Sequence, residues 1–129
     1  MFRDYKQYGL KLGFDKIMKQ PPKLQNKYIW REKNWGCTSN ALKQKLDADN
    51  TVFFITENGH PLNVFKMLSV MFNTIQVSLL SWSVEDMSGY NYLLENGETI
   101  KYNFITPEEN ESLYQQLEFY FNKNYLNEI

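Results

Sequence analysis

Two side chains of this sequence could take part in nucleophilic or acid–base chemistry, and each is the only residue of its type. Cys37 is the sole cysteine and His60 the sole histidine in 129 residues. A thiol beside an imidazole can form a nucleophilic pair, and the thiol pKa falls near a helix N-terminus such as the one predicted after Cys37. Neither residue has a neighbour at the spacing that metal binding requires. We expect a buried structural cysteine and a loop histidine, and therefore a protein that is not an enzyme and that has no catalytic residues, metal site or cofactor.

The carboxylates and glycines form no recognisable catalytic pattern either. Glu85 and Asp86 are adjacent, but they lie in a polar segment between two predicted strands. Acid–base catalysis by a carboxylate pair needs two environments that separate the pKa values, and a solvated loop does not supply them. The glycines lack the spacing of a phosphate-binding loop.

The charges are divided along the chain. Residues 1–50 contain eleven Lys or Arg and five Asp or Glu, whereas residues 51–129 contain three lysines and ten acids. The basic half also interleaves cations with aromatic residues, which could contact phosphates and stack on bases. Because the pI is about 5.8 and the acidic half would repel a polyanion, nucleic acid is the less favoured partner. The alternative function is a nucleic-acid-associated or phage-derived regulatory protein that uses the basic N-terminal half.

Protein binding is the function that these exclusions leave. Acidic residues of the second half fall at predicted turns, and they would form a patch that attracts a basic protein if the turns converge on one side. The residues predicted to contact a protein partner are Glu57, Trp82, Glu85, Asp86, Glu95 and Glu98.

Length and composition predict one domain over residues 1–129. The chain is 43% hydrophobic and 16% aromatic, enough to bury a core without a metal or disulfide. A single cysteine favours a reducing compartment. The start carries charges where a signal peptide needs an apolar run, and no segment reaches the roughly 18 apolar residues of a membrane helix. We expect a cytoplasmic protein that does not contact a membrane.

Hydrophobic periodicity predicts an α+β fold, with an antiparallel sheet flanked by helices and a helix at the C-terminal end. The segment over residues 2–12 fits a helix better than a strand, although both periods are present. The further predicted elements are a strand over 27–31, a short helix capped by Thr38 or Ser39, a break over 47–50, a central strand over 51–56, a largely buried helix over 61–72 (with a strand as the alternative) and a strand over 74–84.

Two details of the predicted sheet remain alternatives. The strand over 74–84 is apolar on both sides, so either both faces are covered or a bulge near Leu79 and Leu80 changes the inward side. The next hairpin could turn through two residues, pairing Glu95 with Glu98, or through three, pairing Leu94 with Glu98. We favour the three-residue loop, because it sets apolar residues opposite each other and places Gly97 at a left-handed position.

The last helix has the clearest start in the chain. Thr106 is the predicted N-cap, Pro107 the first helical residue and Glu109 the third residue of a capping box. The apolar stripe expected to be buried comprises Leu113, Tyr114, Leu117, Tyr120 and Phe121.

Residues 74–104 resemble small bacterial immunity proteins of the contact-dependent growth-inhibition and polymorphic-toxin type. The likeness lies in Ser81-Trp82, Gly89-Tyr90-Asn91-Tyr92, Glu95-Asn96-Gly97 and Lys101-Tyr102, together with the compact length and acidic loops. It implies a protein that binds one cognate toxin, often a basic nuclease, and blocks its active site or another essential surface.

Overall fold

The computed structural model describes residues 12–46, 51–83, 85–109 and 111–125. The chain divides into two compact units, Met1–Met67 and Leu68–Ile129, which we call the N-terminal and C-terminal units. Antiparallel pairing in two sheets and a helix at the C-terminal end confirm the predicted α+β class. No helix within the described residues is long and apolar enough to cross a membrane. The elements are α1 (Phe14–Ile17), α2 (Lys27–Asn34), β1 (Leu42–Leu46), β2 (Val52–Ile55), α3 (Leu62–Met71), β3 (Val77–Ser83), β4 (Ser88–Glu95), β5 (Glu98–Ile105) and α4 (Glu111–Tyr125).

A cluster of aromatic rings forms the core of the N-terminal unit. Phe14 and Trp35 are fully buried and meet edge to face, with ring centroids 5.7 Å apart. Phe14 also contacts Phe54 and Phe65, which stack in parallel at 5.8 Å. Through Phe14, these ring contacts attach the four-residue helix α1 to the core.

Residues 27–34 form helix α2, so the strand predicted over 27–31 is wrong. The side chain of Asn26 accepts hydrogen bonds from the backbone amides of Tyr28 and Ile29, which caps the helix N-terminus. No residue of α2 is buried. Aromatic and β-branched residues favour a strand when they pack on a partly buried sheet. The residues of α2 do not have such surroundings.

The helix predicted after Thr38 or Ser39 is also wrong, because this segment leads into strand β1. The hydroxyl of Ser39 accepts from the amide of Glu57 at 2.9 Å, and the amide of Thr38 donates to the carbonyl oxygen of Glu57 at 2.9 Å. These groups bind the turn after β2 instead of a helix N-terminus. The predicted break over residues 47–50 and the N-terminal helix prediction, apart from Leu12, lie outside the described residues.

Strand β2 is confirmed, but its predicted central position is wrong. Its partner is β1, in a two-stranded antiparallel sheet, and none of its residues is fully buried. The turn after this strand contains Asn58 and Gly59, both with positive φ.

Helix α3 is confirmed, but the expectation that it is largely buried is wrong. Val64 and Leu68 are buried, whereas Val70, Met71 and Phe72 are exposed. The helix is apolar nearly all round, and only part of its circumference is covered. An apolar sequence therefore predicts the helix correctly and overestimates its burial.

The C-terminal unit is built on a meander in which β4 lies between β3 and β5. Strand β3 pairs with β4 residue by residue, so there is no bulge at Leu79 and Leu80. Leu79 is buried and Leu80 is exposed. The sheet face that carries Trp82 and Ile105 is covered by α4.

The hairpin between β4 and β5 turns through two residues, so the three-residue loop is wrong. Glu95 pairs with Glu98, while Asn96 (φ 48°) and Gly97 (φ 83°) occupy the turn. Two successive left-handed residues are what a type I′ turn requires, and that turn matches the twist of the strands. A register shift at Leu93/Leu94 then leaves an extra residue on β5. The shift brings Tyr92 opposite Tyr102, a pairing that neither predicted register contains.

The predicted cap of the last helix is present, although the regular helix begins later. Thr106 Oγ1 accepts from the amide of Glu109 at 3.2 Å, and α4 begins at Glu111. Tyr114 and Leu117 are buried, as predicted, and pack with Ile105. The side chains of Tyr120 and Phe121 lie outside those described.

Candidate functional site

The two solitary nucleophile and base candidates lie on backbone segments that approach each other. A β-carbon on Gly36 would lie 2.5 Å from the carbonyl oxygen of His60. Cys37 is fully buried, and its thiol donates to the carbonyl oxygen of Ser39 at 3.3 Å. Burial raises the pKa of the Cys37 thiol to about 11. At neutral pH the reactive thiolate is therefore almost absent, which suits a structural role better than nucleophilic catalysis.

His60 is partly buried in the same region. Desolvation lowers the pKa of its imidazole, so the neutral form predominates at pH 7. Within the described parts of the chain, no three His, Cys, Asp or Glu side chains are grouped closely enough to hold a metal ion.

The acidic residues predicted to bind a partner do not form one patch. Glu85 and Asp86 lie in the turn between β3 and β4, at the end of the sheet where β5 also finishes. Glu95 and Glu98 lie at the other end, separated from them by the length of β4, about 24 Å at the usual rise per residue. The sheet therefore carries two separate acidic ends.

Glu57 and Trp82 are the other two residues predicted to contact a partner, and both make contacts within the protein itself. The backbone of Glu57 bonds to Thr38 and Ser39 in the N-terminal unit, while its side chain is exposed. Trp82 packs edge to face on Tyr114, with centroids 4.7 Å apart, and joins the cluster around Ile105. The indole of Trp82 thus contributes to the contact between the sheet and α4.

The hairpin end of the sheet is fixed to helix α3 by a buried hydroxyl. Ser69 is fully buried and its Oγ accepts from the amide of Gly97 at 2.8 Å. A β-carbon on Gly97 would lie 2.8 Å from Cγ2 of Val70. The turn and the last part of α3 therefore touch closely, and the absence of a side chain at residue 97 permits the contact.

This junction places apolar and acidic surface side by side. Val70 is 44% exposed and the next residue, Met71, is 54% exposed. Glu95 and Glu98 are exposed and face each other directly across the turn that Val70 contacts. Like charges opposite each other in an antiparallel pair destabilise a sheet. We call the group formed by Val70, Met71, Glu95 and Glu98 the tip surface.

Sequence reasoning identified the two glutamates of the tip surface but missed Val70 and Met71. The available signal was that residues 61–72 are apolar nearly all round. Such a helix either lies in the core or presents an apolar side to a partner, and we expected only the first outcome.

Comparisons with protein-family models, with curated proteins and with solved structures gave no match to this chain. The tip surface and the chemistry of its four side chains are therefore the basis for a function.

Proposed function

We propose that this chain is a non-catalytic inhibitor that binds a basic partner protein through the tip surface. A cognate bacterial toxin domain, such as a nuclease, is the partner that the resemblance of residues 74–104 implies. A single free, buried cysteine is typical of a reducing compartment such as the cytoplasm. A nuclease toxin would act in the same compartment.

The observation that carries the proposal is the exposed Val70 against the turn that joins Glu95 to Glu98, with the exposed Met71 next to Val70 in the chain. Protein interfaces combine an apolar centre with a polar rim. Methionine adapts its shape to irregular apolar surfaces. Two adjacent carboxylates match a lysine or the planar fork of an arginine on the partner. Val70 and Met71 therefore supply apolar contact area, and Glu95 and Glu98 supply negative charge.

The position of the acidic pair also supports the proposal. Glu95 and Glu98 lie in the segment that resembles immunity proteins, and their mutual repulsion opposes folding. A partner cation placed between the two carboxylates would remove that repulsion on binding. The charge pair therefore favours the bound state over the free one.

Growth protection tests the proposal. Cells that express a toxin domain encoded beside this chain's gene should survive when the chain is co-expressed. Met71→Ser should weaken binding because it removes the apolar anchor, and Glu95→Lys with Glu98→Lys should slow association because charges at an interface rim steer encounter. The matched control is Glu85→Lys with Asp86→Lys, which makes the same charge change at the opposite end of the sheet.

Isothermal titration or stopped-flow association with the purified, inactivated toxin domain supplies the quantitative readout. We expect the Glu95/Glu98 double variant to lose most of the salt dependence of the association rate, while the Glu85/Asp86 variant keeps it. Equal loss in both variants, or loss only in the Glu85/Asp86 variant, would place the interface elsewhere. Unchanged killing by the toxin in the presence of the wild-type chain would reject the inhibitor function.

A further inference from the structure

Helix α2 presents cations and uncovered apolar groups together on the N-terminal unit. Within residues 12–46 there are eight Lys or Arg and two acids, Asp15 and Glu32. The carboxylate of Asp15 accepts hydrogen bonds from the backbone and side chain of Gln20, which lowers its pKa. Asp15 is therefore ionised at neutral pH, and residues 12–46 still carry a clear excess of positive charge.

Two of these cations lie close to the ring of Tyr28, and one of them, Arg31, also donates hydrogen bonds to Gln20 and to the carbonyl oxygen of Thr38. Lys27 Nζ is 5.2 Å and the Arg31 guanidinium carbon is 5.9 Å from the centroid of the Tyr28 ring. The tyrosine is nevertheless 53% exposed, and its neighbour Ile29 is 66% exposed. An aromatic ring that is open to solvent and flanked by cations can stack on a planar group while the cations contact attached anions.

A shallow open groove of about 510 Å³ lies along the same helix. Ile29 and Trp30 line it together with Lys33, and Asn26 and Asn34 add amide groups. The groove thus offers apolar surface, hydrogen-bonding amides and a further cation along the same helix.

We propose that helix α2 binds single-stranded nucleic acid through the exposed side chains of Lys27, Tyr28 and Lys33. Phosphates contact the lysines, and an unpaired base stacks on Tyr28. A duplex keeps its bases stacked inside, and an acidic peptide would engage the cations without using the ring. The proposal concerns the N-terminal unit and does not depend on the toxin-binding role of the tip surface.

Fluorescence anisotropy with a labelled oligothymidylate of about 12 nucleotides tests this proposal on the full chain. We expect salt-sensitive binding between about 50 and 200 mM NaCl. Tyr28→Ala should weaken it roughly fivefold or more, whereas Tyr28→Phe, which keeps the ring, should bind as the wild type does. Lys27→Ala and Lys33→Ala should each reduce the slope of log affinity against log salt by about 0.7.

Phe119→Ala is the matched control, because Phe119 is an exposed aromatic residue of the C-terminal unit. It should leave the affinity unchanged, and thermal melts should show that all variants are folded. Three results would overturn the proposal: no binding at 50 mM salt, a Tyr28→Ala variant that binds like the wild type, or polyglutamate that displaces the oligonucleotide as well as unlabelled oligothymidylate does. The last result would indicate an acidic protein as the ligand.

Discussion

Gly59 packs against the carbonyl oxygen of Gly36 so closely that a β-carbon on Gly59 would overlap that oxygen. Both glycines have positive φ, 126° and 98° respectively. Their contact joins the loop after α2 to the turn after β2. The same two segments are linked by the amide and hydroxyl of Thr38, which both donate to the carbonyl oxygen of Glu57.

Gly59→Ala should therefore destabilise the protein by roughly 2 kcal/mol or more, because it adds a backbone clash to an unfavourable φ. Urea unfolding followed by tryptophan fluorescence measures the loss. Glu57→Ala in the same turn is the control: it keeps the bonded backbone atoms and should change stability by less than about 0.5 kcal/mol. Equal stability of Gly59→Ala and the wild type would show that the two loops can separate without cost.

Gly97 combines a conformational requirement with a steric one, and the two can be separated. Gly97→Ala should cost roughly 1 kcal/mol for the left-handed backbone and more for the contact with Cγ2 of Val70. In a Val70→Ala background only the conformational part should remain. A double-mutant cycle from urea unfolding gives the difference. The same cost in both backgrounds would mean that Val70 moves aside freely.

Ionisation of Cys37 should make stability fall at alkaline pH. Its thiol has a pKa of about 11 in the folded protein, raised mainly by burial, and roughly 8.5 when unfolded. Because the unfolded chain loses this proton more readily, the stabilisation is complete below pH 8.5 and is lost as the pH rises toward 11.

The expected loss from Cys37 is on the order of 1–2 kcal/mol by pH 10. Cys37→Ser does not ionise and should lose less stability between pH 7 and pH 10 in the same urea titrations. Parallel losses in the two proteins would assign the alkaline sensitivity to other groups, such as Tyr92, whose pKa is also raised by burial.

Folding should be independent of metal. The described residues hold no cluster of three metal-ligating side chains, and the aromatic core supplies the buried area. Thermal melts with and without a strong chelator should agree within about 1 °C. A clear drop in the melting midpoint on chelation would reveal a metal that binds the native state.

Elements whose sequence signal lies within a few consecutive residues are predicted correctly. Thr106 and Glu109 form the predicted cap contact, and α3 follows Pro61 as its composition suggests. The strand over residues 51–56 is also correct as a strand. In each case the signal is contained within a few consecutive residues.

The wrong predictions concern segments whose partners are distant in sequence. Asn40 and Gln44 hydrogen-bond through their side chains to the backbone of Phe14 and Leu12, about thirty residues earlier. No periodicity within residues 38–46 could indicate that these contacts favour an extended segment. The tip surface was missed in part for the same reason, since the contact of Ser69 with Gly97 spans 28 positions.

The proposed tip surface makes one last prediction, in which stability and binding change in opposite directions. Glu95→Lys replaces the like-charge pair across the turn with an attractive pair, in which the introduced ammonium group faces the carboxylate of Glu98. This should stabilise the hairpin by about 0.2–1 kcal/mol. The same change should weaken binding to a basic toxin, because one of the two carboxylates that face the partner is reversed. Urea unfolding and titration with the inactivated toxin domain measure the two effects on one protein sample. Glu85→Lys, in the turn at the other end of the sheet, should leave the affinity unchanged. If the Glu95→Lys variant is more stable and binds as tightly as the wild type, the Glu95–Glu98 pair is not part of the interface. The repulsion between the two carboxylates then does not serve binding.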